Sequence, residues 1–145
     1  MQFDFGFRID IDAEVGSGHF FRCLAITEKI INKKDRVIFI VNNKQGIESH
    51  LDGRNIPFHV LKSKNELGKI NECKKIVKNI SKLIIDLPKY NEMYSELLQN
   101  YCKTIIIDDI GNKKIKSNIL FNGSIVSKFQ NYSIEKNMTK YYFGP

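Results

Sequence analysis

The sequence predicts an α/β fold in which a parallel sheet is flanked by helices, a Rossmann-like arrangement. Short apolar runs alternate along the chain with segments whose apolar residues recur every three or four positions. The run at 37–41 is continuous and rich in β-branched residues, which is typical of a strand buried on both faces. A glycine-bearing turn at 15–18 separates the first predicted strand from the first helical pattern. Such alternation favours right-handed strand–helix–strand units and hence a parallel sheet.

The individual elements are predicted from local patterns in chain order. Residues 3–10 alternate apolar with polar positions and form the first strand, and the helix after the glycine turn begins at His19. On or near one face of this helix we place Phe20, Phe21, Leu24, Ala25 and Ile31. The later pattern predicts helices at 45–51, 67–80 and 90–101, and strands at 37–41, 57–61, 83–86, 104–108, 119–121 and 141–143.

Length and composition indicate one globular domain. The chain has 145 residues, of which 42% are hydrophobic, so a single core can form without metal or disulfide crosslinks. Its apolar runs are too short to span a bilayer, and its first residues lack the basic and apolar regions of a secretory signal. The three cysteines, Cys23, Cys73 and Cys102, are widely spaced and odd in number, which suits a reducing cytoplasm.

Neither the charge nor the motifs indicate a nucleic acid, a metal or a cofactor. The net charge of +7 comes from lysines scattered in ones and twos, which favours a solvated surface over a nucleic-acid interface. Metal-ligand spacings such as His-x-x-x-His and Cys-x-x-Cys do not occur. The glycine turn lacks the third glycine of a dinucleotide fingerprint, because Arg22 stands where a small residue is needed. We therefore expect no metal ion and no NAD or FAD.

Polar residues stand at the ends of four predicted strands. These residues are Asp10, Asp86, Asp108 with Asp109, and Asn122. In parallel α/β sheets, ligands bind outside the carboxyl ends of the strands, so this edge is the predicted site. The carboxylates can bind sugar hydroxyls or amides. The alternative is that they cap the loops that follow, and that Asn122 simply forms a turn with Gly123.

The turn Gly16-Ser17-Gly18 and the residues after it carry the strongest chemical signal. Glycines here let a ligand approach the backbone, and the free N–H groups of the helix start attract an anion or a sugar oxygen. The same positive helix end disfavours an imidazolium, so His19 is expected to be neutral near pH 7 and able to act as a general base. In this hypothesis its other ring nitrogen is held by Asp10 or Asp12.

Each of these residues also has a structural interpretation. His19 can serve only to cap the helix or to pack on the turn. Arg22 lies three residues later and therefore on the same helix face, where it can meet a phosphate or a carboxylate, or form a surface ion pair. His50 and His59 stand alone in their patterns, and we interpret both as structural.

The segment 7–24 resembles a known family in two linked motifs. It carries Arg8-x-Asp10 in the first strand and then Gly16-x-Gly18-His19-x-x-Arg22. The UDP-2,4-diacetamido-2,4,6-trideoxy-β-L-altropyranose hydrolases of pseudaminic acid biosynthesis begin in a similar way. Later positions agree in the same order, namely Asp86, Asp108 with Asp109, Asn122, and the closing Phe143-Gly144-Pro145. The resemblance therefore covers nearly the whole chain.

The resemblance implies a two-domain GT-B architecture, in which residues 1–145 are the Rossmann-like N-terminal domain and the C-terminal nucleotide-binding domain is absent. It also implies metal-independent hydrolysis of a UDP-linked amino sugar to UDP and free sugar, with His19 activating the water. The substrate-binding residues that it implies are Arg8, Asp10, Gly16, Gly18, Arg22, Asp86, Asp108 and Asn122. The chain departs from the family at Pro88, where tyrosine is usual, and at Ser124, where the family has a second asparagine.

Three other hypotheses stay open at this point. In half of a GT-B glycosyltransferase, the same histidine would serve an acceptor hydroxyl instead of water. A non-catalytic subunit would complete a site only with a partner chain, and this hypothesis predicts an exposed apolar face. A nucleic-acid module rests on charge alone and predicts binding that weakens steeply with salt.

Overall fold

The predicted α/β class is confirmed by a computed structural model, which describes residues 2–11, 17–134 and 139–145. The strands are β1 (Phe3–Ile9), β2 (Val37–Val41), β3 (Phe58–Val60), β4 (Ile80–Asp86), β5 (Lys103–Ile107), β6 (Lys113–Ile115), β7 (Ile119–Asn122), β8 (Tyr132–Ile134) and β9 (Lys140–Phe143). The helices are α1 (Gly18–Ile31), α2 (Glu48–Asp52), α3 (Glu66–Val77) and α4 (Met93–Leu98), with a short 3-10 turn at Ser127–Phe129.

Seven of the strands form one sheet in the order β3-β2-β1-β4-β5-β7-β9. Every pairing in it is parallel, so all the carboxyl ends of its strands lie at one edge. The chain moves outward from β1 to β2 and β3 on one side, and from β4 to β9 on the other. The strand order therefore switches direction between β1 and β4, which is where α/β sheets form a binding crevice.

The sheet is packed by helices on its two faces. On one face, α1 buries Phe20, Cys23 and Leu24 against the first strands, where the rings of Phe7 and Phe39 stack with centroids 5.1 Å apart. On the opposite face, α3 and α4 pack against β1, β2 and β4. No helix of the described residues is long and apolar enough to cross a membrane.

The prediction for the buried face of α1 is partly wrong. Phe20 and Leu24 are buried as expected, whereas Phe21, Ala25 and Ile31 are exposed. The reason is the helical period: Phe20 shares its face with positions three, four and seven residues later, and these include the polar Thr27. Thr27 can be buried because its Oγ1 donates to the carbonyl of Cys23 at 2.8 Å.

Several predicted boundaries also differ from the structure. The helix predicted at 67–80 ends at Val77, because Ile80 pairs with Phe3 and so begins β4. Tyr90 and Tyr101 lie outside α4. The short β6 and β8, which pair with each other in a separate two-stranded sheet, were not predicted, because three residues are too few to show a period.

Candidate functional site

His19 and Asp86 meet at the switch point of the sheet. His19 is in the first turn of α1, and Asp86 is the last residue of β4. The Oδ1 of Asp86 lies 2.6 Å from Nδ1 of His19. The Asp86 side chain is 1% exposed and that of His19 is 21% exposed. A buried carboxylate thus holds a ring that still reaches solvent.

The short distance defines the tautomer of His19. An unprotonated Nδ1 and a carboxylate oxygen are both acceptors, so they would repel each other at 2.6 Å. Nδ1 therefore carries the proton and donates it to Asp86, and Arg22 Nη2, 3.2 Å from Nδ1, donates to Asp86 Oδ1 and not to the ring. In the neutral ring the lone pair is then on Nε2. None of the described residues hydrogen-bonds to Nε2. The ring is thus oriented as a proton acceptor, with a carboxylate behind it to stabilise the imidazolium once formed.

Arg22 holds Asp86 in place through a bidentate ion pair. Its Nε donates to Oδ2 of Asp86 at 2.9 Å and its Nη2 donates to Oδ1 at 2.7 Å. The third guanidinium nitrogen, Nη1, donates to Oδ2 of Asp109 at 2.7 Å. Burial alone would lower the pKa of Arg22, but the hydrogen bonds to Asp86 and Asp109 outweigh burial and raise it. The guanidinium therefore stays charged and links two strand ends.

Cys23 contributes a fourth contact to Asp86. Its Sγ donates to Oδ2 at 3.6 Å from a fully buried position on α1. Burial, together with the nearby carboxylate, raises the pKa of the Cys23 thiol well above its usual range. The group is therefore a neutral donor, which adds to the hydrogen bonds that the Asp86 side chain accepts.

The hypothesis that Asp10 orients His19 is wrong. Asp10 follows β1 and makes an ion pair with Arg8 Nη1 at 2.7 Å, with Lys69 Nζ 3.8 Å away on α3. These partners lie on the α3 and α4 side of the sheet, opposite α1, because Arg8 and the buried Ile9 point to opposite faces of β1. Asp12, the other residue considered, and Gly16 lie outside the described residues.

Arg8 is fully buried and is not brought near His19. Its Nη2 donates to the hydroxyl of Tyr94 on α4 at 3.0 Å, and its Nη1 donates to the carbonyl of Ile9. Burial would lower the pKa of Arg8, but the proximity of Tyr94 and Asp10 more than offsets this and raises it. The side chain thus ties β1 to α4 by a charged contact, and its substrate-binding role stays a prediction.

Asp108 and Asn122 form a second cluster at the same edge. Asp108 accepts from Lys113 Nζ at 2.7 Å, from Tyr132 Oη at 2.6 Å and from the Gly111 N–H at 2.7 Å. Asn122 Nδ2 donates to the same Tyr132 hydroxyl and to Gln130. Both side chains are buried, and the contacts hold β6 and β8 against the ends of β5 and β7. Their predicted contact with substrate is not tested by this arrangement.

The electrostatics of this second cluster favour an ionised Asp108. Burial would raise its pKa, but the hydrogen bonds from Lys113, Tyr132 and the Gly111 N–H together lower it below the usual range. Burial and the hydrogen bond to Asp108 raise the pKa of Tyr132, which therefore remains a donor. Lys113 and Tyr132 were not predicted as site residues, because their strands of three residues show no period.

A cleft of about 130 Å³ opens beside His19. Its lining residues are His19, Asp86, Leu87, Pro88, Ile107, Asp108, Asp109 and Ile110. Pro88 thus lies in the cleft at the position where the resembling family has tyrosine. At the start of α1, a Cβ at Gly18 would meet none of the described residues within 4 Å, so they leave the backbone there open to a ligand.

The structure thus groups the predicted residues by face. His19, Arg22 and Asp86 come together on the α1 side, joined by Asp109, for which the sequence leaves both ligand binding and loop capping open. Among the described residues, no group of three or more metal-ligating side chains could hold a metal ion.

Comparison with protein-family models, with curated proteins and with solved structures gives no match to this chain.

Proposed function

We propose that this chain carries the general-base site of a nucleotide-sugar hydrolase. The reaction would release UDP and a free diacetamido-trideoxy hexose for nonulosonic (pseudaminic) acid biosynthesis. The observation that carries the proposal is the His19–Asp86 pair at the switch point, with Nε2 left as the acceptor. The choice of this substrate rests on the sequence resemblance of the glycine turn and of the strand-end residues.

The proposed step is attack of water on the anomeric carbon of the sugar. Nε2 of His19 takes a proton from the water while the water oxygen bonds to the carbon. The bond between this carbon and the diphosphate oxygen breaks, and UDP leaves with the electron pair. Asp86 stabilises the imidazolium that forms, and Arg22 keeps the carboxylate in position. A positioned general base of this kind contributes about 10²–10⁴-fold to a rate.

The start of α1 offers a place for the diphosphate. This helix has 14 residues, and none of the residues in its own first turn is acidic. Free N–H groups at such an end bind phosphate oxygens. Further donors for the leaving UDP would come from a second domain or chain.

We place this chemistry in the cytoplasm, where the free thiols of Cys23, Cys73 and Cys102 would persist.

The test is UDP release from UDP-2,4-diacetamido-2,4,6-trideoxy-β-L-altropyranose by the 145-residue chain, with separate analysis of the sugar product. We expect release by the wild type and a loss of about 10²–10⁴-fold in His19→Ala. The matched control is His59→Gln, which changes an exposed histidine on β3 and should leave the rate unchanged.

Three outcomes would contradict the proposal. If His19→Ala releases UDP as fast as the wild type, then His19 is not the base. If the sugar appears only on an added acceptor and never free, the chain is a glycosyltransferase. If the wild type releases no UDP, then these residues alone do not carry the hydrolase activity.

A further inference from the structure

The last strands of the sheet leave an apolar face uncovered on the α1 side. β4, β5, β7 and β9 pair in register, so their alternate residues form rows across this face. One row contains Ile84, Ile105 and Ile119, and the next contains Ile107, Phe121 and Tyr142. With Ile26 and Ile30 of α1 as one wall, the face forms a trough of about 950 Å³, here called the sheet trough.

The sheet trough exposes aromatic side chains that a parallel sheet normally buries. Phe121 and Tyr142 are 41% and 53% exposed, although their rings stack with centroids 5.0 Å apart. Parallel sheets are almost always covered on both faces, and a large exposed apolar patch marks an interaction site. No helix of the described residues covers this side of β5, β7 and β9. The trough is therefore a surface for a binding partner.

The dimensions of the trough fit one α-helix. Neighbouring strands are about 4.8 Å apart, so β5, β7 and β9 together span about 10 Å, which matches the diameter of a helix with its side chains. Along the strands, the six-residue distance from Lys103 to Asp109 corresponds to about 20 Å, or about 13 helical residues. The neighbouring α1, which covers the first strands, has 14 residues.

Charges at the two ends of the trough define the direction of such a helix. Lys82, Lys103 and Lys140 stand at its amino-terminal end, on the same face as the apolar rows. The Lys82 ammonium lies 4.5 Å from the centroid of the Phe5 ring, which also lines the trough. At the opposite end Asp109 is paired with Arg22, which also lines the trough, so the three lysines are the unbalanced charge that sets the direction. A helix carries partial positive charge at its N-terminus and partial negative charge at its C-terminus.

We propose that the sheet trough binds one amphipathic helix of a partner polypeptide, with an apolar face and acidic residues in its last turn. The helix would run antiparallel to the strands, as α1 does, with its N-terminus at Asp109 and its C-terminus at the three lysines. A second copy of this chain is a poorer occupant, because each copy has a net charge of +7 and the same lysines. The proposal does not depend on the hydrolase hypothesis.

Two synthetic peptides test the proposal. Each has 14 residues and leucines at helical spacing on one face; one has glutamates in its last turn and lysines in its first, and the other has these charges exchanged. The chain has no tryptophan, so a single tryptophan in the peptide reports binding by fluorescence. The end charges of the first peptide oppose its own helix dipole, so circular dichroism of the free peptides is used to correct each affinity for helix content. After this correction we expect the first peptide to bind about tenfold more tightly at low salt, a difference that shrinks as salt is added.

Variants locate the site and the direction. Phe121→Glu should weaken binding of the first peptide by about tenfold or more, because it places a charge in the apolar rows. Leu67→Glu, at an exposed apolar position on α3 across the sheet, is the matched control and should change nothing. Exchanging Lys82, Lys103 and Lys140 for glutamate should reverse the peptide preference. Circular dichroism checks that each variant is folded.

Several results would overturn the proposal. These are no saturable binding of either peptide, equal binding of both, or binding that Phe121→Glu leaves intact in a folded protein. Sedimentation addresses the competing occupant: a dimer of the wild type that Phe121→Glu abolishes would assign the trough to a second copy of the chain.

Discussion

Asp86→Asn should destabilise the fold considerably, because the carboxylate of Asp86 accepts from three side chains at once. Oδ1 accepts from His19 and from Arg22 Nη2, and Oδ2 accepts from Arg22 Nε and Cys23. Asparagine has only one side-chain oxygen, and its amide group replaces the other with a donor. Whichever way the amide lies, two donors then face an N–H group instead of an acceptor.

The size of the effect follows from these contacts and from burial. Hydrogen bonds to charged groups contribute about 1.5–3 kcal/mol each, and breaking a buried ion pair costs about 3–5 kcal/mol. Arg22 reduces this loss, because its side chain is 33% exposed and it keeps its contact with Asp109. We therefore expect the free energy of unfolding to fall by about 2–4 kcal/mol, a large part of the about 5–15 kcal/mol typical of a domain.

Urea unfolding followed by circular dichroism measures the change, since the chain has no tryptophan to report by fluorescence. Asp109→Asn is the matched control: it removes the charge that pairs with the same guanidinium at an exposed position, and should cost less than about 1 kcal/mol. Equal losses in the two variants would refute the conclusion that Asp86 is the buried centre of this cluster.

Two other predictions concern the second cluster. Gly111 has φ of +73°, and a Cβ there would lie 2.5 Å from Cβ of Gln130, so Gly111→Ala should lower the free energy of unfolding by about 2 kcal/mol or more in urea titrations. The control is Gly123→Ala, whose Cβ would meet none of the described residues within 4 Å. An equal effect of the two substitutions would contradict the steric argument. The lowered pKa of Asp108 means that its ionised form stabilises the folded state above the unfolded pKa of about 4, and that this stability is lost as pH falls through the folded pKa. Wild type should therefore lose stability more steeply than Asp108→Asn as pH falls below about 4, and parallel curves of the free energy of unfolding against pH would show that Asp108 does not titrate with folding.

The sequence by itself determined the class of fold and the edge at which the site lies. Periods of two and of three to four residues are local, so without knowledge of the partners they mark strands such as 37–41 and a helix from His19, one residue after the observed start of α1 at Gly18. The carboxyl ends of parallel strands share one edge, and for that reason Asp86 and Asp109 could be placed there with His19. Elements of three residues, such as β6 and β8, carry too little pattern to be predicted.

Only the tertiary structure decided which of these residues touch. His19 is held by Asp86, 67 positions away, and not by Asp10, which is much closer in sequence. A carboxylate at a strand end can point to either face of the sheet, and the face depends on where the strand begins its pairing, which is a long-range property. The same long-range pairing left one side of β5, β7 and β9 without a helix from the described part of the chain. The pattern of each strand fixes which side chains are apolar, but only packing shows which apolar face has no helix over it.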